Sequence, residues 1–208
     1  QLLKQYNAAT YRYLETGRSD PSALAEIKLL RKQEFARELK DRHSVIVNDK
    51  SIYNVHIGNF HENNRQLLMV LHIAELHRQL LALPQLDIPE TTYFFAGKAY
   101  PGYLMATQTV HLINAYSKWL SHDNLIHNKL KIVFMENMDV ELERKLLYAS
   151  DIFQPIRLPS QATVPINMND ALLHGSAVLA STHGYTKTIH DRLRAPGGLT
   201  LFDETIQD

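Results

Sequence analysis

The stretch TTYFFAGKAYPGY, residues 91–103, holds the pattern that decides the fold. Its first five residues, Thr91–Phe95, are β-branched or aromatic and predict a buried strand. Gly97, Pro101 and Gly102 then predict a turn, and the apolar spacing that follows is that of a helix. The two glycines allow backbone to approach a ligand closely, and the amides at the start of the next helix would face an anion. An ordinary strand-to-helix turn explains the same residues equally well, so the sequence alone leaves both interpretations open.

The same alternation of strand and helix runs from residue 51 to residue 202. Strands separated by helices of this length predict an α/β fold, a Rossmann-like parallel sheet with helices on both faces. The predicted strands are Ser51–Ile57, Thr91–Phe95, Lys131–Met135, Ile152–Leu158, Ala177–Ser181 and Leu199–Phe202. Ligands of such sheets bind beyond the carboxyl ends of the strands. The turns to inspect are therefore Gly58–Arg65, Ala96–Tyr103, Glu136–Val140 and Ser160–Asp170.

Apolar spacing also predicts which side of each helix is buried. In the helix after the first strand, the predicted apolar face consists of Leu67, Val70, Leu71, Ala74 and Leu81. In the next helix it consists of Met105, Thr109, Leu112, Ile113, Tyr116 and Leu120. An earlier helix, from Pro21 to about Asp41, carries charges of both signs that include Lys28 and Lys32. Mixed charges of this kind predict a solvated face.

The domain organisation follows from these elements. We expect one domain over residues 1–208, with a helical lead-in at 1–45 and an α/β core at 51–202, and we expect the chain to be a piece of a longer one. No linker or internal repeat interrupts it.

Composition excludes several classes of function. The 22 basic residues balance the 22 acidic ones, which argues against nucleic acid and anionic membrane as partners. Without cysteine there are no disulfides, thiolate nucleophiles or sulfur-ligated metals. The 11 histidines include no i, i+4 pair, so we expect no metal site. No apolar run is long enough to cross a bilayer, and we expect a cytoplasmic protein.

Four motifs, in order and at matching spacing, resemble the carboxyl-terminal domain of the glycogen (α-glucan) phosphorylases. Residues 58–68 stand in the place of that family's Lys-Arg-Ile-His-Glu-Tyr-Lys-Arg-Gln-Leu-Leu, and residues 96–103 in the place of its Gly-Gly-Lys-Ala-Ala-Pro-Gly-Tyr. Residues 132–140 resemble Val-Ile-Phe-Leu-Glu-Asn-Tyr-Arg-Val, and residues 149–152 resemble Ala-Ala-Asp-Leu. The resemblance covers roughly residues 20–202. It implies one lobe of a two-lobed glycosyltransferase of the B type, with the amino-terminal lobe outside this chain.

The resemblance also implies a chemistry, in which inorganic phosphate attacks the terminal glucose of an α-glucan with the help of pyridoxal phosphate (PLP). Most residues for that chemistry are replaced here. Asn169 stands in the place of the lysine that forms the Schiff base with PLP. Three cations of the first motif become Gly58, Asn59 and Asn64, and an arginine of the third becomes Asp139. Val164-Pro165-Ile166 replaces the Gly-Thr-Gly that wraps the cofactor phosphate.

These replacements lead to the hypothesis of a phosphorylase-family domain without PLP and without catalytic residues, which binds α-glucan, a sugar phosphate or a partner protein. Arg65, Lys98, Tyr103 and Gln161 are the candidate cleft residues; Tyr103 could stack on a sugar or simply pack at a helix start. Expected partners are the amino-terminal lobe of the same protein and, as a further option, a second copy in a homodimer. The alternative is a divergent active phosphorylase, or a related glycosyltransferase that releases glucose 1-phosphate or uses a sugar nucleotide.

Overall fold

The computed structural model describes residues 21–123, 126, 128–136, 138–158, 166–182, 186–188, 191 and 199–202. Within these ranges one long helix comes first, and four further helices then lie between successive strands from β1 to β5, as the spacing predicts. The helices are α1 (Pro21–His43), α2 (Gln66–Ala82), α3 (Leu104–His122), α4 (Val140–Ala149) and α5 (Ile166–Leu173). The strands are β1 (Ile52–Ile57), β2 (Thr91–Ala96), β3 (Leu130–Met135), β4 (Ile152–Phe153), β5 (Ala177–Ser181) and β6 (Leu199–Phe202).

The six strands form one sheet in the order β3-β2-β1-β4-β5-β6, and every neighbouring pair is parallel. This is the strand order of the Rossmann fold, in which the chain reverses its direction of travel between β1 and β4. The prediction of a Rossmann-like α/β sheet is confirmed. The crevice outside the carboxyl ends of β1 and β4 is the place where such sheets bind ligands.

Helices cover both faces of the sheet and create two hydrophobic cores. Side chains of consecutive strand residues point to opposite faces, so Phe94 enters one core and Phe95 the other. The first core joins α1, α4 and α5 to the sheet, with Phe35 packed edge-on against Tyr53 and Phe94. The second core joins α2 and α3 to the sheet.

The fourth strand is shorter than predicted. Ile152–Leu158 was expected to be extended throughout, but β4 ends at Phe153. The reason is Pro155, which has no N–H to donate to a neighbouring strand. The chain beyond it bonds elsewhere: the N–H of Arg157 donates to Ser181 Oγ at 2.9 Å, and the N–H of Leu158 donates to the carbonyl oxygen of Asn63 at 3.0 Å.

The predicted apolar face of α2 is wrong for most of its members. Leu67, Leu71 and Leu81 are 41%, 57% and 51% exposed. The buried set of α2 is Gln66, Met69, Val70, Ile73, His77 and Leu80. Since α2 has apolar residues around most of its circumference, its sequence offers several stripes, and packing on the sheet selects one.

The face of α3 is partly as predicted. Thr109, Ile113 and Leu120 are buried, whereas Met105 and Leu112 are 48% and 44% exposed.

None of the helices in the described ranges is long and apolar enough to span a membrane. Within the same ranges, no three His, Asp or Glu side chains come together in a way that could hold a metal ion.

Candidate functional site

Two loops meet at the carboxyl edge of the sheet, one after β1 and one after β2. The N–H of Gly58 donates to the carbonyl oxygen of Ala96, and the N–H of Phe60 donates to that of Lys98, each at 2.9 Å. The loops therefore continue the parallel pairing of their strands past the strand ends. A Cβ atom on Gly97 would lie 2.0 Å from the carbonyl oxygen of Gly58, so only glycine fits there. The backbone at Gly97 therefore lies close to the backbone at Gly58 because the two loops are hydrogen-bonded to each other.

A histidine, a carboxylate and a tyrosine form a cluster on this pair of loops. The rings of His61 and Tyr103 stack with their centroids 5.1 Å apart, and the hydroxyl of Tyr103 donates to Glu62 Oε2. The hydrogen bond to Glu62 raises the pKa of Tyr103 above its ordinary value. His61 covers one face of the tyrosine ring, and Tyr103 is partly buried just before α3. Tyr103 therefore packs at the start of α3, which is one of its two predicted roles; the other, stacking on a sugar, stays a prediction.

Arg65 and Lys98 lie on the same two loops. Arg65 has φ 50°, a left-handed conformation, between the short 3-10 turn Glu62–Asn64 and the start of α2. Lys98 is exposed, and its carbonyl oxygen takes part in the loop pairing. The structure places these two cations and Tyr103 at one edge of the sheet. Gln161, the fourth predicted cleft residue, lies outside the described residues.

The asparagines that replace cations in the first motif are held by neighbouring loop atoms. Asn64 Nδ2 donates to the carbonyl oxygen of Asn59 at 2.7 Å, and Asn59 Nδ2 donates to the hydroxyl of Tyr100 at 3.0 Å. Gln66 Nε2, which is buried, donates to the carbonyl oxygens of Gly58 and Asn59. These amides stabilise the loop, and none of them offers the positive charge that attracts a phosphate.

Asp139 begins helix α4. Its carboxylate accepts a hydrogen bond from the N–H of Leu142 at 2.7 Å, which is the standard N-cap contact. A negative charge at a helix N-terminus is favourable because of the helix dipole. Local helix stability therefore accounts for an aspartate at this position, which the resemblance places where the family has an arginine.

Two buried polar side chains of β1 are functional candidates that sequence reasoning missed. Asn54 and His56 are 4% and 3% exposed, and neither Asn54 Oδ1 nor His56 Nδ1 has a hydrogen-bond partner in the structure as described. Burial, and then the charge of Arg157, lowers the pKa of His56 to about 4, so its ring is neutral at pH 7. Both residues lie on the strand that flanks the crevice. The sequence did contain a signal for them: both are polar residues inside a predicted strand, and central strands of parallel sheets usually carry aliphatic side chains.

Comparison with known proteins gives the family. Residues 9–195 match the family model described as carbohydrate phosphorylase. The chain is 31% identical over 186 residues to a glycogen phosphorylase of Haemophilus influenzae, and 30% identical over 185 residues to the brain form of glycogen phosphorylase of Bos taurus. In both comparisons the match covers 89% of this chain and 22% of the relative.

The chain belongs to the carbohydrate phosphorylase family. It spans about a fifth of the length of the curated relatives it matches, 22% in the two cases above. The match covers all four sequence motifs, so the family that they resemble is confirmed. The loops at the carboxyl edge belong to a domain of this family.

Asn169 is assigned by the resemblance to the place of the lysine that holds PLP covalently in this family. It lies within α5 and is exposed, next to the buried Met168. An amide nitrogen does not form a Schiff base with an aldehyde, so Asn169 does not supply the attachment. Of Val164-Pro165-Ile166, which the resemblance places where the family wraps the cofactor phosphate, Val164 and Pro165 lie outside the described residues and Ile166 begins α5. The described residues therefore do not fit PLP held as an imine at this position.

Proposed function

We propose that this chain is a phosphorylase-family domain that has lost PLP-dependent phosphorolysis and serves as a non-catalytic module for binding α-glucan or a partner protein. The observation that carries the proposal is Asn169, an exposed amide at the position of the family's Schiff-base lysine. Without that amine, PLP has no covalent anchor, and we expect no cofactor in this domain.

The charges of the described loops support the same proposal. Phosphorolysis brings the phosphates of substrate and cofactor together, and their repulsion must be offset by cations. Asn59 and Asn64 are neutral and bonded within the loop, while Asp139 adds a negative charge. Each unit charge about 4 Å from a phosphate changes the interaction by roughly 1–4 kcal/mol, so these replacements work strongly against a bound pair of phosphates.

The proposed binding role uses what the carboxyl edge retains. Arg65, Lys98 and Tyr103 lie on paired loops beside the crevice, and Gln161 is assigned to the same cleft by the resemblance. Guanidinium, ammonium and amide groups donate hydrogen bonds to sugar hydroxyls. We expect the amino-terminal lobe of the same protein to face this edge, and a sugar phosphate or a second copy of the chain to be the other candidate partners.

The competing function is an active enzyme, either a divergent phosphorylase that releases glucose 1-phosphate or a glycosyltransferase that uses a sugar nucleotide. The family membership of the chain is consistent with it. It would require further cations for phosphate, in addition to Arg65 and Lys98, from parts of the protein outside the described residues.

The test uses the full-length protein, with the Haemophilus influenzae glycogen phosphorylase as the active control. Bound PLP is measured by absorbance and by release with acid. Turnover is measured with glycogen and phosphate, with glucose 1-phosphate, and with UDP-glucose, and glucan binding is measured by affinity electrophoresis. We expect no PLP and no turnover, with retarded migration in glycogen gels as the sign of glucan binding. Stoichiometric PLP, or turnover of any of these substrates, would refute the proposal.

A further inference from the structure

A cavity of about 550 Å³ lies at the opposite edge of the sheet from the crevice. It is open to solvent on one side and is lined by α1 and by the segments that lead into β1, β4 and β5, namely Asp49–Lys50, Asp151 and His174–Gly175. We call it the Lys28 pocket, after the residue of α1 on its wall. Because it lies at the amino-terminal ends of the strands, it is separate from the loops of the proposed binding site.

Positive charge dominates the lining of the Lys28 pocket. Four cationic side chains and two carboxylates line it, which leaves a net charge of two positive; the cations are Lys28, Arg31, Lys32 and Lys50, and the carboxylates are Asp49 and Asp151. This positive environment also affects the pKa of His174. Burial, and then the charges of Arg31 and Lys28, lowers the pKa of His174 to about 3, so it adds no charge at pH 7.

Lys28 and Lys32 differ in how their charges are balanced. Lys32 Nζ is 2.6 Å from Asp151 Oδ2 and forms an ion pair with it. Lys28 Nζ donates to the carbonyl oxygens of Tyr148 and Ser150 and to the hydroxyl of Ser176, all of which are neutral. Burial lowers the pKa of Lys28 to about 8, against the attraction of Asp151. The Lys28 ammonium is therefore charged at pH 7 and has no carboxylate among its hydrogen-bond partners.

The wall of the pocket is also apolar in part. Leu24, Ile27 and Leu29 of α1 line it, and Leu24 and Leu29 are 38% and 39% exposed. The Arg31 guanidinium lies 5.0 Å from the centroid of the Tyr148 ring, which holds this cation beside the pocket. Cations on one side and aliphatic side chains on the other match a ligand with an anionic head and a less polar body.

We propose that the Lys28 pocket binds a small phosphate monoester. Such a group carries roughly −1.5 to −2 charges at pH 7, which balances the two excess positive charges of the lining. Its oxygens accept hydrogen bonds from Arg31 and Lys50, and its organic body packs against the leucines of α1. This inference goes beyond the proposed function and concerns a second site, which either outcome of the glucan and PLP tests leaves open.

The first experiment measures protection of Lys28 in the full-length protein. An amine-selective acylating reagent is applied at about pH 8, where roughly half of the Lys28 side chains are neutral, and labelling is followed by peptide mass spectrometry. The probes are inorganic phosphate and phenyl phosphate, and sodium chloride of equal ionic strength is the control. We expect phenyl phosphate to slow labelling of Lys28 about fivefold or more at millimolar concentration and to leave the exposed Lys40 unchanged. Equal labelling with phenyl phosphate and with chloride would overturn the proposal.

The second experiment uses a pair of matched variants. Lys50→Glu reverses a charge on the pocket wall, and Lys40→Glu makes the same change at an exposed position of α1 that does not line the pocket. Since both residues are exposed, both variants should fold normally. We expect Lys50→Glu to weaken binding of phenyl phosphate about tenfold and Lys40→Glu to change it less than about twofold. Equal weakening in both would show attraction to overall charge and would overturn the assigned site.

Discussion

Replacement of Gly97 by alanine should separate the paired loops at the carboxyl edge of the sheet. The Cβ of the alanine would lie 2.0 Å from the carbonyl oxygen and 2.7 Å from the carbonyl carbon of Gly58. Both contacts are to backbone, so no flexible side chain can move away to relieve them. One of the two loops must therefore shift by about an ångström.

The energetic cost can be worked out from the contacts that this shift would break. The hydrogen bonds from Gly58 to Ala96 and from Phe60 to Lys98 are both 2.9 Å long and both depend on the close approach. Each contributes about 1 kcal/mol, and the steric strain adds roughly 1–3 kcal/mol. We expect Gly97→Ala to lower the free energy of unfolding by about 3–5 kcal/mol.

Differential scanning calorimetry of the protein measures this effect, since 1 kcal/mol shifts the midpoint by roughly 2–4 °C in a unit of this size. Gly102→Ala is the matched control. Gly102 has φ 81°, but a Cβ there would meet nothing within 4 Å, so only backbone strain of about 1–2 kcal/mol applies. If Gly97→Ala shifts the midpoint no more than Gly102→Ala does, the close loop contact is not the reason for the glycine.

Three further substitutions test other contacts. Asp139→Ala should cost about 1 kcal/mol because α4 loses its N-cap, and Asp139→Asn should cost much less; thermal denaturation measures both. Asp151→Ala should cost about 3 kcal/mol in urea denaturation because it leaves the buried Lys32 unpaired, whereas Glu75→Ala on the exposed surface of α2 should have little effect. His56 has a pKa lowered to about 4, so the unfolded state binds its proton first. Stability should therefore fall by up to about 3 kcal/mol as pH drops from about 6.5 to 4. In His56→Gln that part of the pH dependence should be absent, and an unchanged slope would contradict the reasoning.

Much of the fold followed from local patterns. Runs of β-branched and aromatic residues such as Thr91–Phe95 predict strands because their side chains fit a buried pleated surface. The end of β4 was misjudged because apolar residues occur on both sides of Pro155, although that residue cannot donate to the sheet. The loops that carry Arg65, Lys98 and Tyr103 were found because parallel strands bring their carboxyl ends together.

The buried polar groups were harder to predict. Lys28 and Lys32 were assigned to a solvated face of α1, and that prediction is wrong: Lys32 is 6% exposed, and Lys28 is partly buried beside it. Charge pattern along one helix does not reveal that Asp151 and the carbonyl oxygen of Ser150, more than 100 residues away, will accept their hydrogen bonds. Burial of a charge depends on partners that only folding brings near.

By itself, the sequence determined the order of strands and helices and the motifs of the family, and it led to the prediction that Asn169 stands in the place of the family's cofactor lysine. These depend on residue type and local spacing, which the chain carries whether folded or not. Only the tertiary structure decided that Met69 and Ile73, and not Leu67 and Leu71, face the core. It also decided that the Lys28 pocket gathers four cations at one edge of the sheet. Burial and charge clustering arise from contacts between distant segments, and such contacts exist only after the sheet has assembled.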